Sequence, residues 1–172
     1  MIRTLDVNAA RAAAPALAGI LLDCVAGGAS VSFMADLTRA EAEAFWHGVA
    51  DGVAAGERSL IVAEDEEGRI VGTVQLILKL PPNQPHRGEI AKMLVARSAR
   101  RRGIGAALMR AAEAEARAAG KSLLTLDTVS GSEGERLYRS LGWQVAGEIP
   151  DFAMWPDGRL CPTTYLYRRV PA

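Results

Sequence analysis

The sequence has few cysteines and no excess of either charge. Two cysteines, Cys24 and Cys161, are too few for a disulfide framework and lack the paired spacing of a zinc site, so we expect no metal site. The 20 Lys and Arg residues balance the 20 Asp and Glu residues, which gives no overall field to attract nucleic acid or an anionic membrane. The most apolar stretch, residues 12–28, is interrupted by Pro15 and Asp23, and we predict no run of membrane-spanning length and no export signal. The expectation is a cytoplasmic protein without nucleic-acid or membrane partners.

The chain has 172 residues, of which 49% are hydrophobic, and this suits one α/β domain over residues 1–172. A strand–helix–strand unit over residues 88–128 indicates one parallel strand pair inside an otherwise antiparallel, mixed sheet. Hydrophobic periodicity and turn residues predict strands at 2–7, 60–63, 70–80, 88–95, 123–128, 145–149 and 164–170, and helices at 9–26, 38–55, 103–119 and 132–141.

Residues 95–106 combine the end of a strand, a basic loop and the start of a helix. Gly103 and Gly105 would let backbone amides approach an anion closely, and the helix N-terminus adds partial positive charge. Arg100, Arg101 and Arg102 could add guanidinium contacts to phosphate. This pattern predicts a pyrophosphate site, and the alternative is an ordinary helix start with solvated arginines.

Two other phosphate motifs do not fit this stretch. A Walker loop would end in Gly-Lys-Ser/Thr, and a dinucleotide-binding fold would have a third glycine where Leu108 stands. The spacing therefore argues against both nucleotide folds.

The motif Arg100-x-x-Gly103-x-Gly105, after a strand ending in Met93-Leu94-Val95, resembles the acetyl-coenzyme A signature of GNAT acetyltransferases. A second segment, Tyr138 to Trp143, resembles the family's tyrosine placed four residues before Gly-Phe or Gly-Trp. Gly131 and Gly134 depart from the family, which commonly has asparagine and alanine there.

The resemblance implies the GNAT fold, with a mixed, mostly antiparallel sheet of six to seven strands flanked by about four helices, and acetyl-CoA as co-substrate. It also implies that the backbone of one strand end binds pantetheine and that the following turn surrounds the pyrophosphate. The implied cofactor-binding residues are Met93, Leu94, Val95, Arg100, Arg101, Arg102, Gly103, Ile104, Gly105 and Ala106.

Segments 27–36, 126–128 and 156–160 are similar to the tabtoxin-resistance acetyltransferases, a likeness that covers nearly the whole chain. By this resemblance the acceptor would be the amine of a small molecule, such as tabtoxinine-β-lactam or another toxin-like amino acid. Alternatives are N-terminal acetylation of a protein and a sensor module that binds acyl-CoA without turnover. A homodimer is compatible with these functions.

Glu89 and Asp127 are the candidate carboxylates. Glu89 lies in an apolar strand, where an acid is costly unless paired or functional, and we expect it to act as general base. Asp127 lies at the end of a strand, where side chains commonly face the ligand crevice, and we expect it to anchor the substrate ammonium. If their strands are neighbours, two negative charges would raise the pKa of one carboxyl. The alternatives are a salt bridge from Glu89 to a basic neighbour and a turn cap made by Asp127.

Tyr138 is the candidate general acid, because the resemblance implies that its hydroxyl points at the coenzyme sulfur; the alternative is ordinary packing. Neither cysteine fits a covalent route, so we expect direct attack by the amine in a ternary complex. The segment at Trp46 and His47 could line the acceptor pocket or pack in the core. The loop predicted at 152–160, with Trp155, could cover that pocket or could be a simple turn.

Overall fold

The computed structural model describes residues 1–171, and residue 172 of the expected domain lies outside the described residues. The described chain forms seven strands, four α-helices and one short 3-10 helix. The strands are β1 (Ile2–Leu5), β2 (Arg58–Glu64), β3 (Ile70–Ile77), β4 (Arg87–Val95), β5 (Leu123–Val129), β6 (Gln144–Met154) and β7 (Leu160–Arg169). The helices are α1 (Val7–Ala26), α2 (Arg39–Ala54), α3 (Ile104–Ala118) and α4 (Glu133–Ser140), and the 3-10 helix is Arg97–Ala99.

All seven strands form one sheet in the order β1-β2-β3-β4-β5-β7-β6. Every neighbouring pair is antiparallel except β4 and β5, which are parallel. The prediction of a mixed sheet with a single parallel pair is therefore confirmed, as is the number of helices.

Two apolar layers cover the sheet because its strands alternate their side chains between the faces. In β2, Leu60 and Val62 pack with α1 and α2, whereas Ile61 and Ala63 pack with α3 on the other face. The result is a three-layer arrangement with the sheet in the middle. The ends of β4 and β5 open between these two helical layers.

Helix α1 begins and ends at residues that the sequence marks. The Asp6 side chain accepts a hydrogen bond from the Ala9 amide at 2.9 Å, and the helix closes at Gly27. Pro15 lies well inside it. The expectation that no apolar run reaches membrane-spanning length is wrong, because this 20-residue helix is long and apolar enough by composition. Half of its most apolar window is buried inside the protein, as in a core helix.

The last two strands are longer than predicted. The residues predicted as a loop at 152–160 instead complete β6 and start β7, with a tight turn between them. Cross-strand pairing from Ala153 to Cys161 and from Met154 to Leu160 extends the hairpin. The apolar pattern missed this extension because β6 is exposed along most of its length.

Candidate active site

The parallel strands β4 and β5 pair only at their first residues. The pairing runs from Arg87 with Leu123 to Glu89 with Thr125 and stops there. Beyond this point the edge of β4 that faces β5 has no strand partner among the described residues. The separation of the strands leaves free backbone groups and opens a crevice at their carboxyl ends, where ligands bind in open α/β sheets.

A β-bulge lies in β4 next to this crevice. Thr73 pairs with Leu94 and Gln75 pairs with Ala91, so three steps along β4 match two along β3. Lys92 occupies the bulge with a φ of 47°, a left-handed conformation that is uncommon for a residue with a Cβ. Such bulges re-aim side chains and are frequent beside active sites.

The start of α3 presents unpaired backbone amides to the same crevice. No side chain caps this helix, and its N-cap Gly103 has a φ of 80°. The first backbone hydrogen bond of the turn runs from the Ala107 amide to the Gly103 carbonyl. Among the described residues, the amides of 101–106 have no protein acceptor. A helix start without a cap, in a glycine-containing turn, can bind an anion through these donors.

The crevice forms a cleft of about 560 Å³. Nearly all of the sequence-predicted cofactor residues line it: Met93, Leu94, Val95, Arg100, Arg101, Gly103, Ile104, Gly105 and Ala106. Arg102 lies outside the lining and is exposed. Arg100 Nε donates to the Val95 carbonyl at 3.2 Å, so this side chain also ties the turn to the end of β4.

The C-terminal end of α1 forms another wall of the cleft. Asp23 accepts hydrogen bonds from the Arg97 amide at 2.7 Å and from Arg97 Nε at 2.8 Å. This contact holds residues 27–31 against the cleft, which they line. Cys24 also lines it, and burial raises the pKa of its thiol, which opposes a role as nucleophile.

A second cavity of about 610 Å³ adjoins the cleft. The two cavities share a set of lining residues: Ser30, Val31, Met93, Thr128, Val129 and Tyr138. The second cavity also contains the charged side chains of Glu89, Lys92 and Asp127. A molecule in the cleft and another in this cavity would meet at the shared wall.

The structure brings Glu89 and Asp127 together in this second cavity, as the sequence predicts for neighbouring strands. Partial burial, followed by the negative charge of Glu89, raises the pKa of the Asp127 carboxyl, and the Lys92 ammonium opposes the increase. Glu89 Oε2 also accepts from Arg87 Nη1 at 3.2 Å. The salt bridge that was the alternative for Glu89 is therefore present, in a side chain that still reaches the cavity.

Tyr138 is buried at the shared wall, with 6% of its surface exposed. Its ring lies 6.2 Å from that of Trp143. Burial, with a smaller contribution from Asp127, raises the pKa of the Tyr138 hydroxyl. The phenol is therefore protonated at neutral pH.

The structure separates the alternatives that the sequence left open for two aromatic segments. Trp155 lines the first cleft, whereas Phe152 and Met154 line the second cavity. Trp46 is fully buried in the core between α1 and α2, and neither it nor His47 is part of either cavity lining.

Lys92 and Thr128 are site residues that sequence reasoning did not assign to the site. The polar position at Lys92, within an otherwise apolar strand, was the available signal for the first, and adjacency to Asp127 was the signal for the second. The two unusual glycines have local explanations. Gly131 has a φ of 73°, a conformation that favours glycine or asparagine, and a Cβ on Gly134 would lie 3.2 Å from Thr128 Oγ1.

Solved acetyltransferases share this architecture. An N-acetyltransferase from Staphylococcus aureus Mu50 superposes with a TM-score of 0.82 at 20% identity, covering 99% of this chain and 98% of that one. A GNAT superfamily phosphinothricin acetyltransferase from Sinorhizobium meliloti, solved in complex with AcCoA, superposes with a TM-score of 0.80 at 19% identity, covering 99% and 88%. At these identities the likeness concerns the fold.

A relative from Dictyostelium discoideum, described as an N-terminal acetyltransferase complex ARD1 subunit homolog, is 46% identical over 52 residues. The match covers 30% of this chain and only 25% of the relative's length. The likeness is therefore confined to one segment of each protein.

The profile of the acetyltransferase (GNAT) family matches residues 30–143. This span is more than half of the chain and contains the turn at the start of α3, both carboxylates and Tyr138. The chain therefore belongs to the GNAT family of acetyltransferases.

Proposed function

We propose that this enzyme transfers the acetyl group of acetyl-CoA to the amine of a small molecule by direct attack in a ternary complex. The observation that carries the proposal is the meeting of two cavities at Tyr138, one lined by unpaired helix-start amides and the other by two carboxylates. The family supplies the acetyl chemistry, and the S. meliloti protein was solved with AcCoA.

The cleft fits acetyl-CoA in two respects. The unpaired amides of residues 101–106 suit the pyrophosphate, since backbone N–H groups at a helix start bind phosphate with the help of the helix dipole. The free edge of β4 beyond Glu89 suits pantetheine, whose amides can pair with strand backbone groups as a peptide does. Arg100 and Arg101 add positive charge beside the turn.

The proposed chemistry uses two carboxylates of the second cavity and Tyr138 at the shared wall. The amine loses a proton to a carboxylate and forms a bond to the acetyl carbon, and the carbon–sulfur bond then breaks. We assign Glu89 as general base and Asp127 as anchor for the ammonium form. Tyr138 then donates its proton to the departing thiolate. Cys24 takes no part, because its buried thiol has a raised pKa.

For the acceptor we propose a toxin-like amino acid such as tabtoxinine-β-lactam. One support is the similarity of residues 27–36 to tabtoxin-resistance acetyltransferases. The other is the position of residues 30–34 on the wall of the second cavity, which we call the acceptor cavity. The cavity volume, about 610 Å³, is in the range of small-molecule sites.

N-terminal acetylation of a protein is a second candidate. The segment shared with the Dictyostelium relative favours it, as does the exposure of Phe152 and Met154 at the rim of the acceptor cavity, 47% and 49% respectively. A protein substrate would cover this rim, whereas a small amine would leave it open.

An acetyl-CoA assay with free thiol as readout tests the proposal. The panel contains tabtoxinine-β-lactam, lysine-like amino acids, simple amines and short peptides with free N-termini. Thiol release that depends on a small amine supports the proposal, and release only with peptides supports the second candidate. Binding of acetyl-CoA by calorimetry without turnover on any amine would indicate a sensor module instead.

A further inference from the structure

Lys92 has no assigned role, although it lies in the acceptor cavity beside both carboxylates. Regular alternation along β4 would place Lys92 on the same face as Ile90, which packs in the core beneath α3. The bulge reverses the alternation, so Lys92 lies on the opposite face and contacts residues outside that core. The left-handed φ of 47° at this residue is a conformation that costs free energy.

The Lys92 ammonium makes few contacts with the protein. Its Nζ donates to Ser32 Oγ at 3.0 Å and lies 5.9 Å from the centre of the Phe45 ring. Among the described residues no carboxylate lies within salt-bridge distance of it. Because an ammonium has three donors, two remain available. Burial lowers the pKa of this group, whereas the charge of Asp127 acts in the opposite direction.

Two donors therefore face the same part of the cavity. Since Ser32 Oγ accepts a hydrogen bond from Lys92, its own hydroxyl hydrogen remains free to donate. A half-buried cation next to a free hydroxyl is a suitable receptor for an oxyanion, and charge-assisted hydrogen bonds to a carboxylate are among the strong ones. Phe33 and Met34 provide apolar surface beside these donors.

The cavity thus contains charged groups of both signs. Glu89 and Asp127 come from β4 and β5 and favour a cation, whereas Lys92, on the bulge, favours an anion. A polyamine would place positive charge against Lys92, and a simple amine would leave this half-buried ammonium without an ionic partner. A molecule that carries both an ammonium and a carboxylate satisfies all three groups.

We infer that Lys92, together with Ser32, forms a carboxylate subsite of the acceptor cavity and selects amino acids over amines that lack a carboxylate. This inference rests on the proposed function and specifies its substrate class. The subsite holds the carboxylate, and the amine to be acetylated lies toward Asp127 and Glu89. Lys92 then determines specificity without taking part in proton transfer.

Matched substrate pairs test the inference. The pairs are L-lysine with cadaverine and L-methionine with 3-(methylthio)propylamine, which differ only in the carboxylate. The wild-type enzyme is expected to prefer the amino acid in kcat/KM by at least about tenfold. Lys92→Met should raise KM for the amino acid by roughly 10- to 100-fold, which is the loss of a charge-assisted hydrogen bond, and should leave the amine within about twofold.

Two further variants separate charge from structure. Lys92→Arg keeps the positive charge and is expected to retain most of the preference. Lys79→Met removes an exposed lysine that pairs with Glu57. It should leave kcat/KM unchanged for both members of each substrate pair. Lysine blocked at Nα or at Nε reports which amine is acetylated, and melting temperatures show whether each variant is folded.

Equal losses on both members of a pair in Lys92→Met, or a wild-type preference for the decarboxylated amine, would overturn the inference. If none of the four compounds is acetylated, calorimetric titration into CoA-saturated enzyme measures the same preference directly. Absence of binding for both amino acids in that titration also overturns it. Failure of the proposed function is distinguishable, because it shows as absence of acetyl-CoA binding to the wild-type enzyme or as binding without turnover on any amine of the panel.

Discussion

Asp127 and Tyr138 are ionisable side chains whose surroundings favour their protonated forms. Burial raises both pKa values, and the charge of Glu89 adds to the effect on Asp127. Groups whose pKa is shifted by burial and by a specific charge partner are concentrated at functional sites. This concentration makes both residues candidates for the functional site.

Substitution of the two carboxylates distinguishes a base from an anchor. Glu89→Gln should lower kcat by about 100-fold or more with little change in KM, because a general base contributes at least that factor. Asp127→Asn should mainly raise KM for the amine, since it removes an attractive charge that ground state and transition state share. Steady-state kinetics on the preferred amine measure kcat and KM for both variants. A KM effect in Glu89→Gln and a kcat effect in Asp127→Asn would exchange the two roles.

Tyr138→Phe should lower kcat by about 10- to 100-fold, at the low end of the range for general acids, because a thiolate is a fairly good leaving group. KM for acetyl-CoA should stay unchanged, since the buried ring is retained. Tyr167→Phe is the matched control, because Tyr167 bonds to Gln144 away from both cavities. An unchanged rate in Tyr138→Phe would assign the residue to packing alone.

Asp127→Asn should also raise thermal stability at neutral pH. The folded pKa of Asp127 lies above its ordinary value of 3.8, so between these two pKa values the folded state binds more protons than the unfolded state. Stability then falls as pH rises through that window, and the loss is complete above the folded pKa. Asp127→Asn has no carboxyl group at this position and therefore does not lose folding stability in this way.

Melting curves of Asp127→Asn and wild type at several pH values check this expectation. The stability gain should be largest near pH 7 and should shrink as the pH approaches 3.8. A gain that is the same at every pH would point to changed packing instead of ionisation.

At the level of secondary-structure elements, helix α3 has a glycine with positive φ at each end, but only the glycine at its start lies beside the cleft. Gly103 precedes it and Gly120 follows it, with φ values of 80° and 70°, and a Cβ on either would meet no atom within 4 Å. Only the first of these glycines lies in the cofactor cleft. The two positions therefore form a matched pair in which backbone strain is similar and function differs.

Gly103→Ala and Gly120→Ala should each destabilise the protein by about 1 kcal/mol, the cost of a Cβ in a left-handed conformation. Only Gly103→Ala should weaken acetyl-CoA binding, because relaxation of its strain turns the amides of residues 101–106 away from the phosphates. Chemical denaturation and calorimetry measure the two quantities. Equal effects of both variants on acetyl-CoA affinity would argue against a phosphate site at the start of α3.

Over the whole molecule, the cofactor cleft joins elements from both helical layers. The end of α1 forms one wall and the start of α3 another, with the diverging strands β4 and β5 between them. The residues that line this cleft range from Cys24 to Trp155, so a ligand in it contacts parts of the chain that are 131 residues apart. Binding should therefore stabilise the fold as a unit.

Acetyl-CoA at 100 times its Kd should stabilise the folded state by about 2.7 kcal/mol. For a protein of this size this corresponds to a rise in Tm of about 5–11 °C. Differential scanning fluorimetry with and without acetyl-CoA measures the shift, and Gly103→Ala should reduce it. Absence of any shift in the wild-type protein would contradict the proposed cofactor site.

Local sequence carries the information for the cofactor turn and for the ends of the helices. The glycines and arginines of residues 100–106 lie within two turns of one another, and the caps at Asp6 and Thr38 depend on neighbours three residues away. Such contacts form within a short segment, so its residues are enough to predict them. The meeting of Glu89 and Asp127 in one cavity was anticipated from their positions on two strands, and the candidate role of Tyr138 came from the resemblance to the family.

The acceptor cavity depends on pairing between distant strands. Sequence could not indicate that β4 and β5 stop pairing after Glu89, or that β4 gains a residue relative to β3 at Lys92, because each feature depends on the register with a partner strand. A shift of one residue exchanges the faces of a strand, and here it moves Lys92 from the side of the α3 core to the cavity proposed for the acceptor. That register is set by long-range packing of the sheet between its two helical layers.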